Sequence, residues 1–294
     1  MDNMDKAMKQ YEVLKWASSF LKTYNREENV ATLLLQHHRK MERNVFFQEM
    51  QSIIPGDIVQ LYKKDIEAHA LKGIPIQHLI GYAPFYGEEF AVNEHVLIPR
   101  FETEELVEYA AAYIQSIVNR EELTIVDVGT GSGVIGITLK QLFPEISVCA
   151  TDISSQALDV AKQNACQLGV DVQFLQGNFL MPLLQQGIKP DILISNPPYI
   201  DYNESDLLED TVKNFDPDIA LFAADKGLSA YRTILEQAAT IPQSILRAMF
   251  FEIGASQGRA VCEMIQAEFP EGKVEIKKDL AGKDRIVKHV KSVK

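Results

Sequence analysis

Disulfides, membrane spans and a surface for gripping nucleic acid are all missing from this sequence. Its 294 residues hold three cysteines, Cys149, Cys166 and Cys262, widely separated and without C-x-x-C spacing. Neither a disulfide framework nor a zinc site is indicated, and the default reading is three small buried hydrophobes. The six histidines, His37, His38, His69, His78, His95 and His289, also lack ligand spacing, so no metal is expected. No apolar run approaches the ~18 residues of a membrane span. The opening segment Met1–Gln10 is polar and amphipathic rather than charged and then apolar, which makes a cytoplasmic protein with no membrane partner the expectation. Basic residues are scarce: 29 Lys and Arg stand against 41 Asp and Glu, a net charge of −12. Phosphate contacts need a basic surface, so direct nucleic-acid binding is not expected, while protein substrates stay open. Internal repeats and low-complexity segments are absent too.

What is present falls into two regimes. Residues 1–75 read as helix after helix, with Tyr11-Leu14-Ala17-Leu21, Val30-Leu33-Leu34 and Ile58-Leu61-Tyr62-Ile66 at spacings of three and four. Asn25–Glu28 and Ile54–Asp57 are the expected turns, the second ending in Asp57 as an N-cap. Residues 76–103 carry aromatic and glycine clusters that suggest a hairpin linker. From 104 to 294 strand and helix alternate, the pattern of an α/β domain with a parallel sheet covered by helices on both faces. Strands are expected at 124–128, 147–151, 172–176, 191–195, 248–252, 274–277 and 285–290, within a few residues at each end.

Chemistry concentrates in two places. After the apolar run Asp191–Ser195 comes Asn196-Pro197-Pro198-Tyr199. Two prolines fix φ and remove two backbone donors, so the turn is stiff and rich in acceptors, with the Asn196 side-chain oxygen and the Pro197 carbonyl able to receive a flat NH2 group. Tyr199 adds an aromatic face. Upstream, Thr124–Gly133 reads as a β-branched strand running into a glycine turn, Gly129-Thr130-Gly131-Ser132-Gly133, where the backbone can approach a ligand closely. Asp152, directly after the second strand, stands near the spacing at which a carboxylate meets a ribose diol. Spacing alone leaves two cofactors open, because Gly131-Ser-Gly133-Val-Ile-Gly136 also fits the G-x-G-x-x-G pattern of nicotinamide-binding proteins. The Asn-Pro-Pro-Tyr turn decides between them: a dehydrogenase has no obvious use for it, whereas methyl transfer to a planar nitrogen does.

Asp127–Gly133, Asp152 and Asn196–Tyr199 together resemble the amino-methyltransferase branch of the adenosylmethionine-dependent enzymes. With Gly73–Gly81, Phe85–Gly87, Val96–Arg100, Glu102–Glu104, Ala220-Leu221, Gly227-Leu228 and Asp279–Arg285 in order, the chain resembles more narrowly the HemK/PrmC family. That family methylates the side-chain amide of a glutamine in peptide-chain release factors. The resemblance covers nearly everything after residue 70. It implies a Rossmann-like class I methyltransferase sheet with a smaller amino-terminal helical bundle, S-adenosyl-L-methionine as cofactor, and release factors as protein partners. It assigns the Gly129–Gly133 loop to the methionine end of the cofactor, Asp152 to the ribose and Asn178-Phe179 to the adenine. Phe101 departs from the family pattern where proline is common, Asp216 where glutamate is usual, and Asn178 where an acidic residue often stands.

The expected mechanism follows from a reluctant nucleophile. An amide nitrogen has its lone pair delocalised into the carbonyl, so acceptors at Asn196 and the Pro197 carbonyl would orient it and stabilise the positive charge that grows during transfer. Pro198 and Tyr199 would complete a slot for the planar group, and Asn196 would also border the cofactor. Arg100 is a candidate wall of the substrate cleft or half of a structural ion pair. A ribosomal-protein glutamine and the exocyclic amine of adenine in DNA or RNA are the alternative substrates. The second would need a base-flipping pocket and a basic groove that the sequence does not display. The amino-terminal helices are expected to dock the body of a protein substrate.

Overall fold

The structure, a computed structural model, describes residues 8–242 and 244–291. The chain divides into two units: Met1–Gly81 together with Glu209–Phe215, and Tyr82–Leu208 together with Asp216–Lys294.

In the first unit three helices, Gln10–Thr23, Asn29–Arg39 and Gly56–Lys72, share one core. Val13, Ala17 and Leu21 meet Val30, Leu34 and Leu35 from the second helix and Val59, Tyr62 and Ile66 from the third, all buried. The spacing of three and four puts each set on one stripe, and removing that stripe from water is what holds such short helices together. Tyr62 reaches through the core to donate its hydroxyl to the Ala31 carbonyl at 2.9 Å. The expected stripes are buried at Leu14, Ala17, Leu21, Val30, Leu34, Tyr62 and Ile66, while Tyr11, Leu33 and Leu61 are exposed and Val13, Leu35 and Val59 join the core in addition. The third helix starts at Gly56 behind Pro55, so Asp57 lies in the first turn. There its charge faces the positive end of the helix instead of capping it. Glu209–Phe215, although distant in sequence, belongs to this unit, and Arg26 holds Asp210 with both terminal guanidinium nitrogens, Nη1 donating to Oδ1 at 2.7 Å.

The second unit opens with an antiparallel hairpin, Tyr82–Phe85 and Glu88–Ala91. Seven strands then build one sheet: β1 Thr124–Val128, β2 Ser147–Asp152, β3 Gln173–Gln176, β4 Ile192–Ser195, β5 Ala248–Glu252, β6 Lys273–Lys278 and β7 Asp284–Val290. Their spatial order is β6-β7-β5-β4-β1-β2-β3. Side chains alternate between two cores. Ile125, Ile192, Ile194 and Phe250 pack on one face with the helices Phe101–Gln115 and Val134–Leu142. Val126, Leu193, Met249 and Phe251 pack on the other with Ser229–Ala239 and Gly258–Glu268. A strand buried on both faces is largely apolar, which is why β1, β4 and β5 read as nearly continuous runs rather than alternating ones, interrupted by the buried polar residues Asp127, Ser195 and Glu252. The sheet is mixed, not wholly parallel: β7 runs antiparallel to both β5 and β6. Only five residues, Asp279–Lys283, join β6 to β7, too few for the crossover that parallel pairing needs. Among the described residues no helix is long and apolar enough to cross a membrane.

Candidate active site

The strand order reverses between β1 and β4, and open α/β sheets bind ligands outside the carboxyl ends of their strands at such a point. Ser195 pins the two strands there, its hydroxyl donating to the Val128 carbonyl at 2.6 Å. A cavity of about 410 Å³ opens at this edge, lined among others by the Gly129–Ser132 loop, Asp152, Asn178, Phe179, Asn196 and Pro198. Its volume lies in the range of small-molecule sites.

One side of the cavity is made of main chain. Gly129 and Gly131 have φ of 71° and 55°, and a Cβ built on either would meet nothing within 4 Å. Side chains at these two positions would therefore project into open space at the cavity wall and fill part of a ligand's cradle. The turn is fixed from below. Asp127, wholly buried, accepts from Thr130 Oγ1 at 2.6 Å and from the Gly136 amide at 3.0 Å, both on Oδ2. Burial pushes its carboxyl up to about 6, against the pull of those two donors. Asp127 Oδ1 has no hydrogen-bond partner among the described residues, an acceptor left over beneath the loop.

Asp152 ends β2 and lines the cavity. Its Oδ2 accepts from the Gly131 amide and its Oδ1 from the Ser154 amide, each at 2.9 Å. Burial raises its pKa, and the bonds from Ser154 and Gly131 pull it back. The helix Ser155–Gln167 is capped by Ser154, whose Oγ accepts from the Ala157 amide at 3.1 Å, so Asp152 is not needed as the cap. A carboxylate has about four lone-pair sites, which leaves Asp152 capacity for ribose hydroxyls. Phe179, at a left-handed φ of 50°, lines the wall with Asn178. Glycine cradle, spare carboxylate capacity and aromatic wall together fit a nucleoside-bearing cofactor.

The other side is made of side chains. Asn196 and Pro198 line the cavity, while Pro197 is buried. Asn196 Nδ2 donates to Thr103 Oγ1 at 3.1 Å, and Thr103 donates to Glu252 Oε2 at 2.7 Å. Tyr199 donates its hydroxyl to the other oxygen, Glu252 Oε1, at 3.3 Å. Burial pushes the Tyr199 phenol well above its ordinary value, so it stays a donor. Glu252, the last residue of β5, is 2% exposed, and burial lifts its carboxyl to about 7 despite Thr103, Arg285 and Tyr199. The turn backbone is held as well: Gln257 Nε2 donates to the Tyr199 carbonyl at 2.8 Å. A Cβ at Gly227, φ 79°, would stand 2.0 Å from that carbonyl oxygen, so only glycine lets the neighbouring turn close on Tyr199.

Arg100 sits elsewhere. Its guanidinium donates to the fully buried Asp216 carboxylate at 2.9 Å, and Asp216 also accepts from the Ile98 amide at 3.3 Å. Arg285 pairs with Asp279 at 3.2 Å and reaches the Ile253 carbonyl at 3.3 Å. Thr103 and Glu252 went unnoticed in the sequence. The signal available was a glutamate closing the otherwise apolar strand Ala248-Met-Phe-Phe-Glu252, at the same sheet edge as Asn196.

Residues 101–237 match the family described as Methyltransferase small domain, and residues 12–81 match the PrmC N-terminal domain. Over 280 residues the chain is 43% identical to the release factor glutamine methyltransferase of Bacillus subtilis, an alignment covering 94% of this chain and 96% of that protein. The Enterococcus faecalis protein of the same name is 41% identical over 284 residues, covering 95% and 98%. Among solved structures, the catalytic domain of hMettl16, in complex with a MAT2A 3'UTR hairpin, superposes with a TM-score of 0.53 at 15% identity over 80% of this chain and 81% of that one. That is a likeness of fold.

Proposed function

The chain belongs to the release factor glutamine methyltransferases, and we propose that its cavity is where the glutamine of a release factor's Gly-Gly-Gln motif receives the methyl group. The enzyme methylates the side-chain amide nitrogen of a release-factor glutamine. S-adenosyl-L-methionine supplies the methyl as a sulfonium substituent, an electrophile that needs no acid catalyst. What the chain's own residues must do is place and polarise the amide.

The observation that carries this reading is that one cavity is lined by the glycine loop and Asp152 on one side and by Asn196 and Pro198 on the other. In our assignment the Gly129–Gly133 loop cradles the methionine end, Asp152 takes the ribose hydroxyls, and Asn178-Phe179 flank the adenine. Asn196 Oδ1 and the Pro197 carbonyl accept the two N–H bonds of the substrate amide. As the nitrogen becomes positive, both acceptors interact with it more strongly than in the ground state, so they lower the barrier rather than merely tighten binding. Pro198 and Tyr199 make a stiff slot that admits a planar group. Arg100 does not itself line the cavity; paired with Asp216, it is assigned to bracing the adjoining Pro99, which does. Residues 1–75 are assigned to docking the body of the release factor, whose remote binding energy would hold a flexible glycine-flanked tip in place.

Incubation with methyl-labelled S-adenosyl-L-methionine and separate pools of release factor, ribosomal proteins and DNA tests the assignment. Label is expected on the Gly-Gly-Gln glutamine of the release factor, located by peptide mass spectrometry. Label confined to a ribosomal protein or to DNA would overturn it.

A further inference from the structure

A methyl acceptor held by an asparagine poses a problem of polarity. The Asn side chain is nearly symmetric in shape but opposite in chemistry at its two ends, and only the oxygen can receive an amide N–H. Something must fix which end faces the substrate.

The hydrogen bonds behind Asn196 run in one direction. Ionised, Glu252 can only accept. It receives the single hydroxyl hydrogen of Thr103 at 2.7 Å, which leaves Thr103 Oγ1 nothing to give Asn196 and makes it an acceptor for the Asn196 NH2 at 3.1 Å. We propose that Glu252 and Thr103 are positioning residues which set the polarity of Asn196, committing its NH2 to the protein and leaving its Oδ1 as the acceptor for the substrate amide. The proposal rests on the assignment of Asn196 to that amide. Glu252 also receives the Tyr199 hydroxyl on its second oxygen, so both ends of the Asn196–Tyr199 turn are tied to one carboxylate. Its own backbone is fixed by Tyr231, which donates to the Glu252 carbonyl at 2.8 Å.

The relay reverses when Glu252 takes a proton. A carboxylic acid can donate to Thr103 Oγ1, the hydroxyl is then free to donate to Asn196 Oδ1, and the amide turns its NH2 toward the substrate. Donor would then face donor. Around Glu252 stand Thr103 and Glu102 from the helix Phe101–Gln115, Tyr199 from the turn, Tyr231 from the helix Ser229–Ala239, and Arg285 from β7, itself paired with Asp279. Burial favours the neutral acid while Thr103, Arg285 and Tyr199 favour the anion, and the balance falls at about 7. Turnover should therefore fall as pH drops through that region.

Thr103→Val keeps the shape and removes the hydroxyl, whereas Thr103→Ser keeps the hydroxyl. With release factor and cofactor saturating, Thr103→Val is expected to lower kcat at least about tenfold, the scale of a lost preorganised polar contact. Cofactor Kd by calorimetry should stay within about twofold, since no contact on that side changes. Thr103→Ser should recover kcat to within about threefold. The wild-type kcat should show a one-proton acidic limb near neutrality that is absent from the residual rate of Thr103→Val. Full kcat in Thr103→Val, or an unchanged limb in it, would overturn the relay while leaving the glutamine assignment standing. A wild-type enzyme that transfers no methyl to release factor would overturn both. Should Thr103→Val fold poorly, the wild type decides alone: kcat constant between about pH 6 and about pH 8.5 refutes a titrating positioning carboxylate.

Discussion

The two sides of the cavity are built from different materials. On the glycine side the turn that faces the ligand is backbone, supported by Asp127 and Asp152 through the Gly136, Gly131 and Ser154 amides, with the side chains of Asp152 and Phe179 beside it. On the Asn196 side it is side chain, supported by a file of hydroxyls ending at Glu252. Backbone cannot change its protonation and needs only the right torsions. A side-chain relay can be reversed by a single proton and needs each member in its correct charge state. The first kind suits a cofactor that presents the same shape in every cycle, and the second suits an acceptor nitrogen that must be oriented and polarised.

The sharpest break in this comparison is Asn196→Ala. Single-turnover transfer should fall by about 10²–10³, as for loss of one transition-state contact. Cofactor affinity measured by calorimetry should hardly move, and equal losses in both would mean the two sides are not separable. Next comes Glu252→Gln, read as stability. In the unfolded chain a glutamate titrates near its ordinary 4.5 and in the fold near 7. Between those values the folded protein keeps a proton that the unfolded chain has released, so stability falls as pH rises across the window and stays lower above it. Glutamine carries no such charge, and the variant should be more stable than wild type at pH 8 by up to about 3 kcal/mol. That advantage should vanish below pH 4.5 in thermal melts, and a pH-independent difference would mean that packing, not charge, is at issue. Asp152→Ala should weaken cofactor binding by about 1.5–3 kcal/mol, the range for hydrogen bonds to a charged group. Its kcat at saturating cofactor should stay near wild type, and a large loss there would blur the division.

The same division explains what the sequence could disclose. A backbone site leaves a contiguous mark, because the residues that permit its torsions are neighbours: Gly129, Gly131 and Gly133 on one turn, Asp152 one strand later. The seven strands were equally visible, the central β1, β4 and β5 as nearly unbroken apolar runs and the outer β3, β6 and β7 as short stretches with polar residues between apolar ones. Asn196–Tyr199 was legible because two prolines signal a stiff turn. Thr103 and Glu252 were not, for the relay draws residues from positions 103, 196, 199 and 252, and no local pattern joins them. Thr103 lay inside the stretch Glu102–Glu104, with nothing in the pattern to single it out. The antiparallel β7 was missed because alternation of strand and helix implies parallel pairing until the last connection proves too short to cross. Nothing near Glu209–Phe215 indicated that it folds with the amino-terminal helices, because its partner Arg26 is 184 residues away.

That excursion changes what it would mean to sever this polypeptide. The chain passes between its units after Gly81, after Leu208 and after Phe215, so hydrolysis of one peptide bond frees neither. A protein cut between Gly81 and Tyr82 should travel as a single species in gel filtration, its larger piece still lodging Glu209–Phe215 among the helices of the smaller. Asp210 lies close enough to Gly73 that a Cβ there would come within 2.9 Å of its carboxylate, and its forked pair with Arg26 closes the clasp. Asp210→Ala should loosen the cut pieces by about 1 kcal/mol or less, as befits a half-exposed pair. In the uncut protein the same substitution should barely register. A piece beginning at Gly73 would carry Asp210 without Arg26, and with it a seven-residue segment stripped of the helices it was shaped to join.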